Sequence, residues 1–239
     1  SEEVLAPINA IGDQQGATIK DGVVTMPEEF VDAYKKFAEA GWASISLPSD
    51  IGGGGMPITL SGGTLEILST ANLAFGLAPG LSAGAISAIN FHGNQEQKDK
   101  FLPKLVSGEW TGTMNLSEPQ SGSDLGTITT KAEPKEDGSY KITGTKVWIT
   151  FGEHNMTENI IHLVLAKVPG SPEGTKGISM FIVPKYIVND DGSIGDSNNV
   201  SCISIEEKLG IHASPTCVME YDGSVGYLVG EENRGLNYM

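Results

Sequence analysis

The sequence predicts an α+β molecule, with a helical N-terminal part over residues 1–110 and an all-β unit, barrel- or sandwich-like, over residues 111–239. Three observations carry this reading. Apolar residues recur at helical spacing up to about residue 110 and alternate beyond it. Asp137-Gly138, Pro169-Gly170, Asp191-Gly192 and Asp222-Gly223 punctuate the second part with turn chemistry. Helices and strands fall in separate runs instead of alternating, which gives segregated layers.

In chain order, Ser1-Glu2-Glu3-Val4-Leu5-Ala6 is acidic, has the texture of a helix interior, and resembles no signal peptide. Thr25-Met26-Pro27-Glu28 has the form of a capping box with proline in the first turn. Phe30, Tyr34 and Phe37 supply the apolar face of the helix that follows, and Gly41 stops it. Pro48-Ser49-Asp50 then leads into Gly52-Gly53-Gly54-Gly55, expected to be a flexible turn. From Ile67 to Phe91 there is no charge, a length that could span a bilayer. Gly76, Pro79, Gly80, Ser82, Gly84, Ser87 and Asn90 interrupt it and no basic flank orients it, so it reads as closely packed core helices. Asn94 with Gln97 opens a further helix that Pro103 kinks and Ser107-Gly108 ends.

Beyond Trp110 the alternation predicts strands over 111–116, 127–132, 139–142, 146–150, 160–167, 177–184, 200–206, 216–221 and 225–229.

Composition narrows the function. With 15 basic against 30 acidic residues the net charge is −15, which disfavours nucleic acid and anionic membrane surfaces as partners. Cys202 and Cys217 are too few for a disulfide framework and suggest reduced thiols in the cytoplasm. His92, His154, His162 and His212 have no metal-ligand spacing, so no metal site is expected. His154 beside Glu153 looks like an exposed loop pair. Gly170–Gly177 lacks the Lys-Ser/Thr step of a phosphate loop, and Asp190, Asp191 and Asp196 lack calcium-loop spacing.

Two segments are more specific. In Met114-Asn115-Leu116-Ser117-Glu118-Pro119-Gln120-Ser121-Gly122-Ser123-Asp124 a strand runs into a turn rich in Ser and Gly, whose backbone N–H groups and hydroxyls suit a phosphate or a carbonyl-rich ring. In Lys146-Val147-Trp148-Ile149-Thr150-Phe151-Gly152 a large flat aromatic is followed two residues on by a hydroxyl on the same strand face. Singly, they read first as a hairpin turn and a core tryptophan.

Together they resemble the acyl-CoA dehydrogenase flavoprotein family. Its Thr/Ser-Glu-Pro and Gly-Ser-Asp pattern stands here as Ser117-Glu118-Pro119 and Gly122-Ser123-Asp124, and its Trp-Ile-Thr element as Trp148-Ile149-Thr150. Pro48–Gly55, the lead-in Gln95–Trp110 and the closing Val229–Gly235 are also similar. Gln120-Ser121 replaces a family Gly-Ala, and Phe151 a common Asn. The segments 152–159 and 208–216, with the insertion 188–199, resemble a bacterial branch that includes methylthiopropanoyl-CoA dehydrogenases.

The resemblance implies dehydrogenation of an acyl-CoA thioester to the 2-enoyl-CoA, with FAD as hydride acceptor. It implies cofactor contacts from Met114, Leu116, Ser117, Gly122, Ser123, Trp148, Ile149 and Thr150. Leu116 and Ser117 would face the flavin carbonyl side, Thr150 would lie near N5, and Trp148 would pack on the ring. Ser123 would meet both the pyrophosphate and the substrate's pantetheine arm, while Glu118 and Asp124 stabilise the turn. The family's catalytic base is a glutamate of a C-terminal helical bundle, so no catalytic residue is assigned here and the chain is expected to be truncated at both ends. An electron-transfer flavoprotein and a homo-oligomer are the implied partners. An acyl-CoA oxidase and a non-catalytic scaffold that keeps the fold are the competing readings.

Overall fold

The computed structural model describes residues 1–239. Helix α1 (Leu5–Gln15) begins after a turn at residues 2–4, so the opening residues are not helix interior; Leu5 and Ala6 donate their N–H groups back to the Ser1 carbonyl. A hairpin follows, β1 (Thr18–Lys20) and β2 (Val23–Thr25), that the sequence reading missed. Asp21 and Gly22 both take positive φ and form its turn, but strands of three residues show too little alternation to stand out. Thr25 therefore ends a strand and caps nothing: α2 (Glu28–Glu39) starts after Pro27 without a side-chain cap. Its Phe30, Tyr34 and Phe37 are buried as expected, their rings tilted or edge-on against Phe75, and Gly41 terminates the turn at φ 74°.

The glycine-rich stretch is ordered, not flexible. Gly54, Gly55 and Met56 donate N–H bonds to the carbonyls of Ser44, Leu47 and Ile45, and a Cβ on Gly54 would stand 2.6 Å from the Ile45 oxygen. Only glycine permits that approach.

Helix α3 (Ile58–His92) contains the uncharged stretch, and over half of its apolar window is buried against the protein, as in a core helix. The break lies at Asn72 (φ −163°, ψ 94°), not at Pro79. Asn72 Oδ1 accepts the Phe75 N–H at 3.0 Å and Nδ2 donates to the Leu5 carbonyl at 3.3 Å, so Asn72 caps a second helix from within. Helix α4 (Gln95–Ser107) has the expected reciprocal cap between Asn94 and Gln97, passes through Pro103 unbroken, and ends at Gly108 with φ 80°.

The strands are β3 (Trp110–Asn115), β4 (Lys131–Pro134), β5 (Tyr140–Thr150), β6 (Asn159–Lys167), β7 (Ile178–Pro184), β8 (Tyr186–Val188), β9 (Ile194–Ser197), β10 (Val200–Glu206) and β11 (Thr216–Leu228); a short α5 (Gly235–Tyr238) follows. Three expectations change. Residues 127–130 are not strand, because Thr129 and Thr130 give their N–H groups to Glu118 instead of to a neighbouring ladder. The segments 139–142 and 146–150 fuse into β5, and 216–221 and 225–229 into β11. Asp222-Gly223 is accordingly a bulge within one strand, where the register slips between Asp222 and Ser224. The insertion at 188–199 folds as the hairpin β8–β9.

Pairing runs β11–β5–β4–β6–β7 and back to β11, which closes a barrel. Strand β10 lies beside β11, and β3 lies parallel beside β6. Val164, Ala166, Phe181, Val183, Met219 and Tyr221 share one core with Val24 of the N-terminal hairpin. The alternate residues Ile161, Leu163, Leu165, Met180 and Ile182 pack against Ile86, Ile89, Phe101 and Leu105 of α3 and α4. Burial on both faces explains the nearly unbroken apolar run of β6. The Ser82 hydroxyl of α3 accepts the Gly112 N–H at 3.1 Å, fixing the helix against β3.

Candidate functional site

Strand β3 leaves the sheet at Asn115, and residues 116–125 form a loop held from beneath by Glu118. That carboxylate is 1 % exposed. It accepts the backbone N–H and the hydroxyl of both Thr129 and Thr130, the Gln120 side-chain amide, and the Lys146 ammonium at 2.9 Å. Burial alone would raise its pKa, but the Lys146 charge and the donors from Thr130 and Thr129 prevail and hold it at about 2. Burial brings the Lys146 ammonium down to about 8 while Glu118 opposes the fall, so both groups are charged at neutral pH. Asp124 has the turn role expected of it, accepting the Gly126 N–H at 2.9 Å.

With the loop anchored in this way, the backbone N–H groups of Leu116, Ser117, Gly122, Ser123 and Asp124 find no acceptor within the protein. Three of their carbonyls are engaged: the Leu116 oxygen accepts from Lys146 Nζ at 2.9 Å, the Ser117 oxygen from the Val147 N–H at 2.9 Å, and the Asp124 oxygen from the Ser121 and Thr127 hydroxyls. The loop thus offers donors and no basic side chain of its own. Gly122 and Ser123 are exposed, Leu116 and Ser117 half-buried.

Across from the loop, β5 carries a bulge. Ile149 pairs with Cys217 and Lys146 with Met219, so Val147 and Trp148 face the single residue Val218. Trp148 has φ 60°, a left-handed conformation that a bulky aromatic seldom adopts. The bulge reverses the parity of the strand: Ile142 and Lys146 are buried before it, Ile149 after it, and Trp148 is thrown outward at 51 % exposure. Strained backbone of this kind concentrates at functional sites. A Cβ on Gly122 would stand 3.7 Å from the indole Cζ3, so loop and tryptophan are neighbours.

The structure therefore gathers Leu116, Ser117, Gly122 and Trp148 on one half-open face. Thr150 follows in the strand, half-buried, its carbonyl accepting the Thr113 hydroxyl at 2.8 Å. Met114 lies half-buried opposite Gly84 of α3. The Ile149 side chain is 2 % exposed in the barrel core, so this residue offers the face only backbone.

His154 and Glu153 are also corrected, being buried and not an exposed loop pair. Glu153 pairs with Lys185 at 2.5 Å. His154 Nδ1 accepts the Met156 N–H at 3.2 Å, leaving Nε2–H to donate to the Thr111 hydroxyl at 2.9 Å. Burial pushes the His154 imidazole down to about 3, so it is neutral and structural.

The Glu118–Lys146 link was missed altogether. Its sequence signal is one opposite charge in each of the two motifs, and the bulge concealed it.

Family models for the acyl-CoA dehydrogenase N-terminal domain and middle domain match residues 7–109 and 113–224. The chain is 50 % identical over 237 residues to a 3-methylmercaptopropionyl-CoA dehydrogenase of Ruegeria pomeroyi, covering 99 % of this chain and 40 % of the relative. It is 41 % identical to a butyryl-CoA dehydrogenase of Syntrophomonas wolfei, covering 96 % of this chain and 38 % of that protein. A solved acyl-CoA dehydrogenase from Bacillus anthracis, complexed with FAD, superposes with a TM-score of 0.78 at 27 % identity over 99 % of this chain and 36 % of the other. The chain spans about two fifths of the length of these curated relatives.

Proposed function

This chain belongs to the acyl-CoA dehydrogenase family, through that family's N-terminal and middle domains, and from that premise we propose that it serves the FAD-dependent α,β-dehydrogenation of an acyl-CoA thioester. The observation that carries the proposal is the face just described, where a loop with five unsatisfied N–H groups lies beside a half-exposed tryptophan. Those donors fit a carbonyl-rich ring and a pyrophosphate, and the indole fits a planar aromatic partner.

FAD bound there would supply the hydride acceptor. The chain's own residues hold and orient it. The N–H groups of Leu116 and Ser117 serve the carbonyl edge of the ring, where preorganised donors stabilise added negative charge. Trp148 would pack on the ring and shield it from water, and Thr150 would offer it a hydroxyl. Gly122 and Ser123 serve the pyrophosphate, with Ser123 also reaching the substrate arm. Met114 and the backbone of Ile149 complete the wall. Glu118 is no base, since both its oxygens are committed to Lys146, Gln120, Thr129 and Thr130.

The names of the relatives favour a short acyl group. We extend the proposal to an electron-transfer flavoprotein as acceptor and to a homo-oligomer, both expected from the family, and to a cytoplasmic setting, which two free cysteines favour.

The test is anaerobic titration of the purified protein, in its native sequence context, with butyryl-CoA and 3-methylmercaptopropionyl-CoA. A yellow protein whose flavin band bleaches supports the reading, and a colourless one overturns it. Fast reoxidation by oxygen alone would favour the oxidase. Residues 1–239 on their own should give no turnover, because they hold no free carboxylate that a motif assigns as base. Measurable turnover would place the base within them.

A further inference from the structure

The buried pair beneath the loop has a bearing on cofactor chemistry that its structural role does not require. Lys146 is 0 % exposed, and its ammonium lies 2.9 Å from the Leu116 carbonyl oxygen and 2.9 Å from Glu118 Oε1. A buried ion pair is weak evidence for stability, because desolvating two charges offsets their attraction, and well-packed neutral residues commonly do as well. What the ammonium does uniquely is bond the oxygen end of the Leu116–Ser117 peptide. The nitrogen end of that same peptide is the Ser117 N–H, which has no acceptor in the protein. A cation on a peptide oxygen polarises the amide and makes its N–H a stronger donor, and chains of hydrogen bonds reinforce one another in a low-dielectric interior.

We propose that Lys146 is a positioning residue that, through the Leu116–Ser117 peptide, strengthens the Ser117 N–H toward the flavin and so makes the bound FAD easier to reduce. This rests on the reading that FAD binds at this face. Glu118 keeps the ammonium in place. Its negative charge is shared among the donors of Thr129, Thr130 and Gln120. Both halves of the device lie in the sequence motifs, yet neither touches the cofactor itself.

The experiment measures the two-electron reduction equilibrium of bound FAD against a reference dye in the FAD-loaded protein, with residues 1–239 in their native context. The double variant Lys146→Met/Glu118→Gln removes both charges and leaves no unpaired buried ion. Its FAD should remain bound, and its reduction equilibrium constant should fall at least tenfold, about 30 mV for two electrons. A constant within threefold of the parent, with FAD bound, overturns the proposal, since a purely structural pair would not move the potential of a flavin that still binds. Should the double variant not fold, Lys146→Gln/Glu118→Gln, which fills the site with neutral amides in place of both charges, is measured instead and is expected to show the same fall; a constant within threefold of the parent with FAD bound overturns the proposal there too. A parent protein that carries no FAD refutes the binding reading itself, an outcome distinct from either.

Discussion

Trp148 combines a left-handed backbone with a half-exposed ring, and nothing in the protein core rewards that arrangement. Replacing it with alanine should therefore leave stability nearly unchanged but weaken FAD retention by about 1–3 kcal/mol, the scale of a buried aromatic contact. Equilibrium FAD titration checks this, and unaltered affinity would place the ring elsewhere. Glu118 behaves in the opposite way. Glu118→Ala leaves Lys146 charged and unpaired in the interior, and should cost about 3–5 kcal/mol in denaturant unfolding. Its carboxyl is lowered in the folded state, so the stabilisation it provides is full above about pH 4.5 and fades as pH falls toward 2. Legibility at this scale followed the backbone. The donors around Gly122 and Ser123 were readable because a Ser- and Gly-rich turn exposes N–H groups whatever surrounds it. Lys146 was not, because strict alternation puts it on the face of Trp148, and only the bulge separates them. The burial of His154 and Glu153 is illegible for a related reason: it depends on Thr111 of β3 and on Lys185 after β7, which are distant in sequence.

Among the elements, α3 shows most plainly what determines a break. Pro79 is tolerated within the second segment, whereas Asn72, an unremarkable residue in a row of small ones, interrupts the helix by capping its own continuation. Asn72→Ala would remove that cap and the additional side-chain bond to the Leu5 carbonyl. The expected loss is about 1–2 kcal/mol, measured as a lower denaturant midpoint with an unchanged slope. Asn72→Asp, which retains the acceptor, should recover part of it. The strands were located well where alternation or a long apolar run was strong, as in β6 and β7. The errors came where a turn signal was taken literally: Asp222-Gly223 bends β11 without reversing it, since pairing to β5 on both sides of the bulge outweighs the local preference.

For the whole molecule, acid should be the effective denaturant. His154 and His162 are both enclosed and both pushed down to about 3 by burial, from an ordinary value of 6.5. Between those limits the unfolded chain binds two protons that the folded chain excludes. More protons on the unfolded side means that stability falls as pH falls. From these two residues alone the slope should approach about 2.7 kcal/mol per pH unit between about pH 5.5 and 4. Chemical denaturation at stepped pH checks this, and His162→Gln should roughly halve the slope. Closure of the barrel has a consequence of another kind. Val24, from the hairpin near the N-terminus, is wholly enclosed in a core it shares with Cys202 and Tyr221. A ribosome adding about 5–20 residues per second would deliver Tyr221 roughly 10–40 s after Val24. For that interval the hairpin has no seat, and the nascent helices must wait with an apolar plug unsheathed. The newborn chain thus keeps that apolar surface uncovered until β11 emerges.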